Sequence, residues 1–315
     1  MIAVRRILDK PWVWSYVAAF AVWLATIAFT QGQGGGGLIT ASLTFATFFV
    51  IVGIGQMFVI TLGPGNVDLS IPATITLAGS VAMKVMDTQD SMILLGLLVA
   101  LGCGLAVGVF NYCLILVLRI PPIIATLSAA FLVQSTAIAY GRGLRIKPPP
   151  LLADFTTVQV FGVPLLALCV MLLAVVMGVV LNRTIYGRSV LAIGQNTRAA
   201  DLAGIRVERI RFFTYVMSAV LAALCGYLFS GFSGGSSLSM GEQYLLASIA
   251  VVVIGGTSVA GGNGNVPGLW GAALFLFLVQ SMLNTYQLSA GLRYLATGLI
   301  IIAVITAAGG QKALR

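Results

Sequence analysis

Enzyme chemistry needs a base, a nucleophile, a metal-binding cluster or a phosphate cradle, and this sequence offers almost none of them. Histidine, the commonest general base and metal ligand, is absent. The four cysteines, Cys103, Cys113, Cys169 and Cys225, each lie inside an apolar run without CxxC spacing, so neither a disulfide framework nor a zinc site is expected. None of the four lysines, Lys10, Lys84, Lys147 and Lys312, follows a glycine in a GxxxxGK[ST] pattern. The chain therefore has no phosphate-cradling loop and does not hydrolyse ATP. No cofactor or metal is expected in it, and no enzyme activity. Two carboxyl groups, Asp68 and Glu242, fall near the ends of apolar runs, where they could face a pathway. Asp68 also reads as the N-cap of the helix that follows it, with Pro72 tolerated in the first turn. Ser70, Gln134 and Thr257, with Gln56, Asn111 and Asn284, could line a route for a hydroxylated solute or bond between helices.

These residues sit in a chain that water cannot surround. Of its 315 residues 59% are apolar and 8% charged, against roughly 25% charged in ordinary soluble domains. Apolar runs recur from residue 12 to residue 308, and a crossing helix takes about 20 apolar residues. The sequence predicts an all-α integral membrane protein, one domain over 1–315, with ten spans: 12–30, 38–62, 68–86, 92–118, 122–140, 164–182, 211–230, 243–262, 267–287 and 292–308. The first follows Arg5, Arg6 and Lys10 without a cleavage site before Gln31, so it is expected to stay as an anchor. Cytoplasmic termini put twelve of the seventeen basic residues inside, leaving Lys84, Arg142, Arg145, Lys147 and Arg293 outside. This distribution accounts for the net charge of +9 through a membrane, and nucleic acid is not an expected partner.

Three Gly/Pro breaks stand near the expected cytoplasmic face: Gly63-Pro64-Gly65-Asn66-Val67-Asp68, the pair Pro121-Pro122, and Gly255-Gly256-Thr257-Ser258 running to Asn265. Backbone freed at membrane depth must be satisfied by protein or by a water-lined cavity. Residues 183–211 carry six arginines and are too polar to insert. Within them Asn196 is a cap for a short helix over 197–203, which Gly204 stops.

Several segments together resemble the permeases of ribose-type sugar ABC importers, a group related to the branched-chain amino acid permeases. The series Tyr186-Gly187-Arg188, Ala192-Ile193-Gly194-Gln195-Asn196, Ala199-Ala200, Gly204-Ile205 and Ile254-Gly255-Gly256-Thr257-Ser258 with Ala260-Gly261-Gly262 is specific in its order. Val67-Asp68-Leu69-Ser70 and Pro122 to Leu127 match segments of the first half. The resemblance implies a bacterial inner-membrane importer. Two permease chains would stand side by side, over an ABC ATPase that holds ATP and Mg²⁺ and beneath a periplasmic sugar-binding protein. It makes 183–211 a cytoplasmic coupling loop, with Arg188, Asn196, Ala199, Ala200 and Gly204 at the ATPase. Arg142, Arg145 and Lys147, basic on the outer side, are expected to dock acidic lobes of the binding protein. The chain departs from the family pattern at Tyr244-Leu245-Leu246-Ala247, which lacks two carboxylates, at Gln134-Ser135 and at Asn263. Those departures favour pairing with a different permease chain. An ion-coupled secondary transporter is the rival class; it would call for ionisable residues inside the spans.

Overall fold

The computed structural model describes residues 11–30, 35–143, 146–285 and 289–309. Thirteen helices run through them in chain order: α1 Pro11–Phe29, α2 Gly35–Thr61, α3 Ile71–Met86, α4 Ile93–Leu116 after a 3-10 turn, α5 Pro122–Gly141, α6 Pro150–Thr157, α7 Leu165–Arg183, α8 Ile185–Gln195, α9 Thr197–Leu202, α10 Val207–Phe232, α11 Tyr244–Ile254, α12 Val266–Thr285 and α13 Ala290–Gly309. The strands among the described residues are β1 Gln159–Val160 and β2 Val163–Pro164, a two-residue hairpin. Phe161 and Gly162 form its turn, both at positive φ as tight hairpin turns require.

The all-α membrane class holds. Seven helices among the described residues are long and apolar enough to cross a membrane: α1, α2, α4 with its 3-10 turn, α5, α7, α10 and α12. Two expected spans are shorter than their apolar runs. The run at 68–86 is helical only from Ile71, over 16 residues, because Gly63 and Gly65 take positive φ and the chain stays non-helical up to the cap Ser70. The run at 243–262 gives an 11-residue helix that stops where Gly256, Gly261 and Gly262 turn left-handed.

Helix α2 is apolar on all sides and is buried from Ala46 to Leu62, as a central helix should be. Around it stand α7, α10, α11 and α12. Small residues set the closest approaches. A Cβ on Gly104 or Gly108 of α4 would lie 2.7 or 2.6 Å from atoms of α10, and one on Gly55 of α2 would lie 2.9 Å from Ser218 Cα. Helix α10 thus presses on α2 and α4 with almost no side chain between.

Candidate functional site

Two clusters occupy the break between α2 and α3. The first is a knot of polar side chains around Asp68, which is 1% exposed. Asp68 Oδ1 accepts from Ser70 N (3.0 Å) and from Ser70 Oγ (2.6 Å), and Oδ2 accepts from Ser218 Oγ of α10 (2.7 Å). Asn111 Nδ2 of α4 donates to Ser70 Oγ at 2.8 Å. Gln56 Oε1 of α2 accepts from the Asp68 amide at 3.2 Å, and Tyr215 of α10 donates to Asn66 Oδ1 at 3.1 Å. The non-helical stretch 67–69 runs past Thr126 of α5, whose Oγ1 accepts from Leu69 N at 3.1 Å and lies 3.0 Å from the Val67 carbonyl. Four helices, α2, α4, α5 and α10, are tied to one turn by side-chain hydrogen bonds. Gln56 Nε2 and Asn111 Oδ1 in the same knot are buried with no partner among the described residues.

The sequence forces this arrangement. Pro72 at the second helical position of α3 has no N–H to satisfy, and the orphan amides before it are met by side chains instead. Ser70 is the N-cap of α3, not Asp68. Asp68 lies two residues upstream and holds the Ser70 amide. Ser218 is the twelfth residue of α10, and its backbone meets Gly55, six residues before the end of α2, so the knot stands about 9 Å along α2 from the glycine turns.

The second cluster is made of backbone. Gly194 near the end of α8 rests on two turns at once: a Cβ there would collide with the Thr61 carbonyl at the end of α2 and with the Gly262 amide. Gly262 N donates to Thr61 O at 2.9 Å. A Cβ on Gly261 would collide with the backbone of Gly63, and one on Gly262 would lie 2.6 Å from Gln195 Cγ. Gln195 Nε2 in turn reaches Gly262 O at 3.4 Å. The two glycine breaks and α8 therefore meet in one junction. The repeated Gly65-Asn66-Val67 and Gly264-Asn265-Val266 lie in these two neighbouring turns.

Helices α8 and α9 carry Arg188 and Arg198. Thr184 caps α8, its Oγ1 accepting from Gly187 N at 3.1 Å, and a Cβ on Gly187 would collide with the carbonyls of Val180 and Leu181. Tyr186 bonds Thr214 of α10 at 2.8 Å. Burial pushes its phenol up to about 12, with the Thr214 hydrogen bond acting the other way, so it stays protonated. Asn196 Oδ1 accepts from Ala199 N at 3.0 Å and caps α9, and Gly204 at φ 86° ends it as the sequence predicts. Arg188, Asn196, Ala199 and Gly204 are exposed. Ala200, expected on the partner-facing surface, is turned inward and is 4% exposed, because a six-residue helix on a surface must bury one side.

The remaining expected residues are dispersed. Gln134 Nε2 of α5 donates to Leu238 O at 2.8 Å. Glu242 is exposed just before α11. Thr257 is buried, and its Oγ1 accepts from Asn265 N at 3.1 Å, which closes the turn before α12. Arg142 and Lys147 are exposed on either side of Arg145, which lies outside the described residues. Sequence reasoning missed α8 as a helix, although Tyr186, Val190 and Ile193 repeat at helical spacing. It also missed Ser218 and Tyr215, for which nothing in a mainly apolar span signals a partner 150 residues away.

The comparisons with known proteins agree with one another. A family described as "Branched-chain amino acid transport system / permease component" matches residues 38–305. The autoinducer 2 import system permease protein LsrC of Enterobacter sp. (strain 638) is 30% identical over 277 residues, 85% of this chain and 80% of the relative. The fructose import permease protein FrcC of Rhizobium meliloti is 31% identical over 264 residues, 81% and 73% of the two chains. The ribose import permease protein RbsC of Haemophilus influenzae is 29% identical over 262 residues, 82% and 80%. No solved structure matches.

Proposed function

The chain belongs to the permease-component family of branched-chain amino acid transport systems, among its sugar ABC permeases, and on that premise we propose the following mechanism. It is the multi-pass subunit of a bacterial inner-membrane importer that moves a small sugar or sugar-like solute inward. It catalyses no reaction itself. A partner ATPase supplies the energy from ATP and Mg²⁺, and a periplasmic binding protein delivers the solute. A second permease chain, of different sequence, completes the membrane unit. The ten passes, with both termini in the cytoplasm, include α3 and α11, each completed by ordered non-helical backbone.

The observation that carries this reading is the seat of α8 on the glycine junction. Arg188, Asn196, Ala199 and Gly204 present the exposed side of α8 and α9 to the ATPase, while Gly194 and Ala200 anchor the other side. A push on α8 then reaches the end of α2 and the turn before α12 through backbone contact, as a rigid-body displacement. Asp68 and Ser70 act as the gate, a hydrogen-bonded knot that opens and closes with the position of α3. Arg142, Arg145 and Lys147 meet the binding protein.

The test is ATP hydrolysis in liposomes by the complex of this chain with its ATPase, second permease and binding protein. Stimulation by binding protein should vanish when residues 196–204 are replaced by a Gly/Ser linker. Uptake driven by an ion gradient with no ATPase bound would overturn the reading. Replacing Arg142, Arg145 and Lys147 together by serine should slow binding-protein association and flatten the salt dependence of its on-rate.

A further inference from the structure

Of the eight acidic residues in the chain, Glu242 alone among the described ones is both deep and exposed. Its depth follows from four neighbours. Helix α11 rises for 11 residues, about 15 Å, from the turn that touches α8 and the arginine-bearing segment. The Tyr244 ring packs on Phe49 of α2 at 5.2 Å and on Phe229 of α10 at 5.9 Å. A Cβ on Gly241 would collide with the Pro72 carbonyl at the start of α3, next to the knot around Asp68. The Leu238 carbonyl is held by Gln134, well inside α5. Segment 233–243 therefore leaves the end of α10, turns back into the domain and reaches about half depth before α11 begins. Asp68 is sealed by hydrogen bonds; Glu242 has no ion pair or side-chain partner among the described residues.

The first turn of α11 favours a negative charge through its dipole, which steadies Glu242 without giving it a partner. A carboxylate exposed to hydrocarbon is costly, and ionisable groups at membrane depth face a water-filled route or a bonded partner. Ser237, Ser239 and Gln243 are exposed along the same segment, so this surface offers hydroxyl, amide and carboxylate groups together. Two oxygens of one carboxylate accept from two neighbouring hydroxyls, and an amide supplies both a donor and an acceptor. This is the chemistry that reads adjacent hydroxyl groups on a neutral sugar ring.

We propose that Glu242, with Gln243 and Ser239 beside it, is a solute-recognition point on the transport route, binding the vicinal hydroxyls of a neutral sugar. The inference rests on the sugar-importer reading and names the residues that contact the cargo.

The experiment uses the whole complex in proteoliposomes. Glu242→Cys and, as a second variant, Gln243→Cys are made with Cys103, Cys113 and Cys169 replaced by serine and the buried Cys225 retained. Leu246→Cys, exposed on the apolar flank of the same helix, is the control. A charged, membrane-impermeant methanethiosulfonate should modify position 242 or 243 at least about tenfold faster than 246, since the reactive thiolate forms only in contact with water. D-ribose, D-fructose, D-glucose and myo-inositol are the protecting probes, and L-arginine the charged control. Slowing by at least one polyol supports the proposal. Equal rates at 242, 243 and 246 would overturn it, as would protection by none of the polyols or by L-arginine only. ATP hydrolysis by the unmodified complex, read in the same vesicles, separates the two conclusions: its loss counts against the importer reading, and the labelling pattern against Glu242.

Discussion

The two clusters at the α2–α3 break hold the same turn by opposite means. At the glycine junction, Gly63, Gly194, Gly261 and Gly262 bring backbone against backbone, with one direct hydrogen bond from Gly262 to Thr61. At the knot, Asp68, Ser70, Asn111 and Ser218 reach the turn through side chains that can rotate away and bond again. A backbone contact transmits displacement without slack, since packed atoms are nearly incompressible. A side-chain network yields at a definite cost per bond. The junction is built as a lever bearing, and the knot as a latch.

The contrast breaks most easily at Gly194. Valine there would drive a branched side chain into the Thr61 carbonyl and the Gly262 amide, neither of which is a flexible end. We expect Gly194→Val to cost about 3 kcal/mol or more, the upper range for overpacking, and Gly194→Ala to cost somewhat less. Melting of the purified complex, followed by intrinsic fluorescence, measures both. If alanine leaves the melting temperature and transport unchanged, α8 does not bear on the turns.

The knot should answer differently to size and to chemistry. Asp68→Ala leaves Ser70 N, Ser70 Oγ and Ser218 Oγ without an acceptor, and we expect about 2–3 kcal/mol of destabilisation from buried donors left unpaired. Asp68→Asn keeps the shape and one acceptor, and should recover about half of that loss. The same melting measurement compares the pair. Equal losses for alanine and asparagine would make the knot a matter of packing, like the junction.

Part of this was legible in the sequence. The long spans came from apolar length, and the cap Asn196 and the stop Gly204 came from local helix chemistry, because each is decided within a few residues. The ends of α3 and α11 did not, since apolar composition continues into the glycine-rich turns that interrupt the helices. Hydropathy registers apolarity and is blind to the positive φ of Gly63, Gly65, Gly256 and Gly261. The Gly-Pro-Gly and Gly-Gly breaks were visible as breaks, yet their meeting at Gly194 was not. A glycine chosen for close approach carries no mark of its partner. The burial of Thr257 and Ala200 is hidden in the sequence for a related reason: side-chain type suggests a role, but burial is set by distant segments.

The smallest expected effect separates the lever from its bearing. Asn196 follows Gly194 by two residues and caps α9 on the exposed side, away from the contact with Thr61. Asn196→Ala removes one cap, worth about 1 kcal/mol of local helix stability, and leaves Gly194 seated. The melting temperature of the complex should therefore hardly move, while amide exchange at Ala199 to Ala203 speeds up as α9 frays. If coupling runs through a rigid α8–α9 unit, binding-protein-stimulated ATP hydrolysis falls in this variant although the core is intact. If α8 alone carries the push through Gly194, exchange at α9 rises with no change in stimulation, and the lever is shorter by one helix.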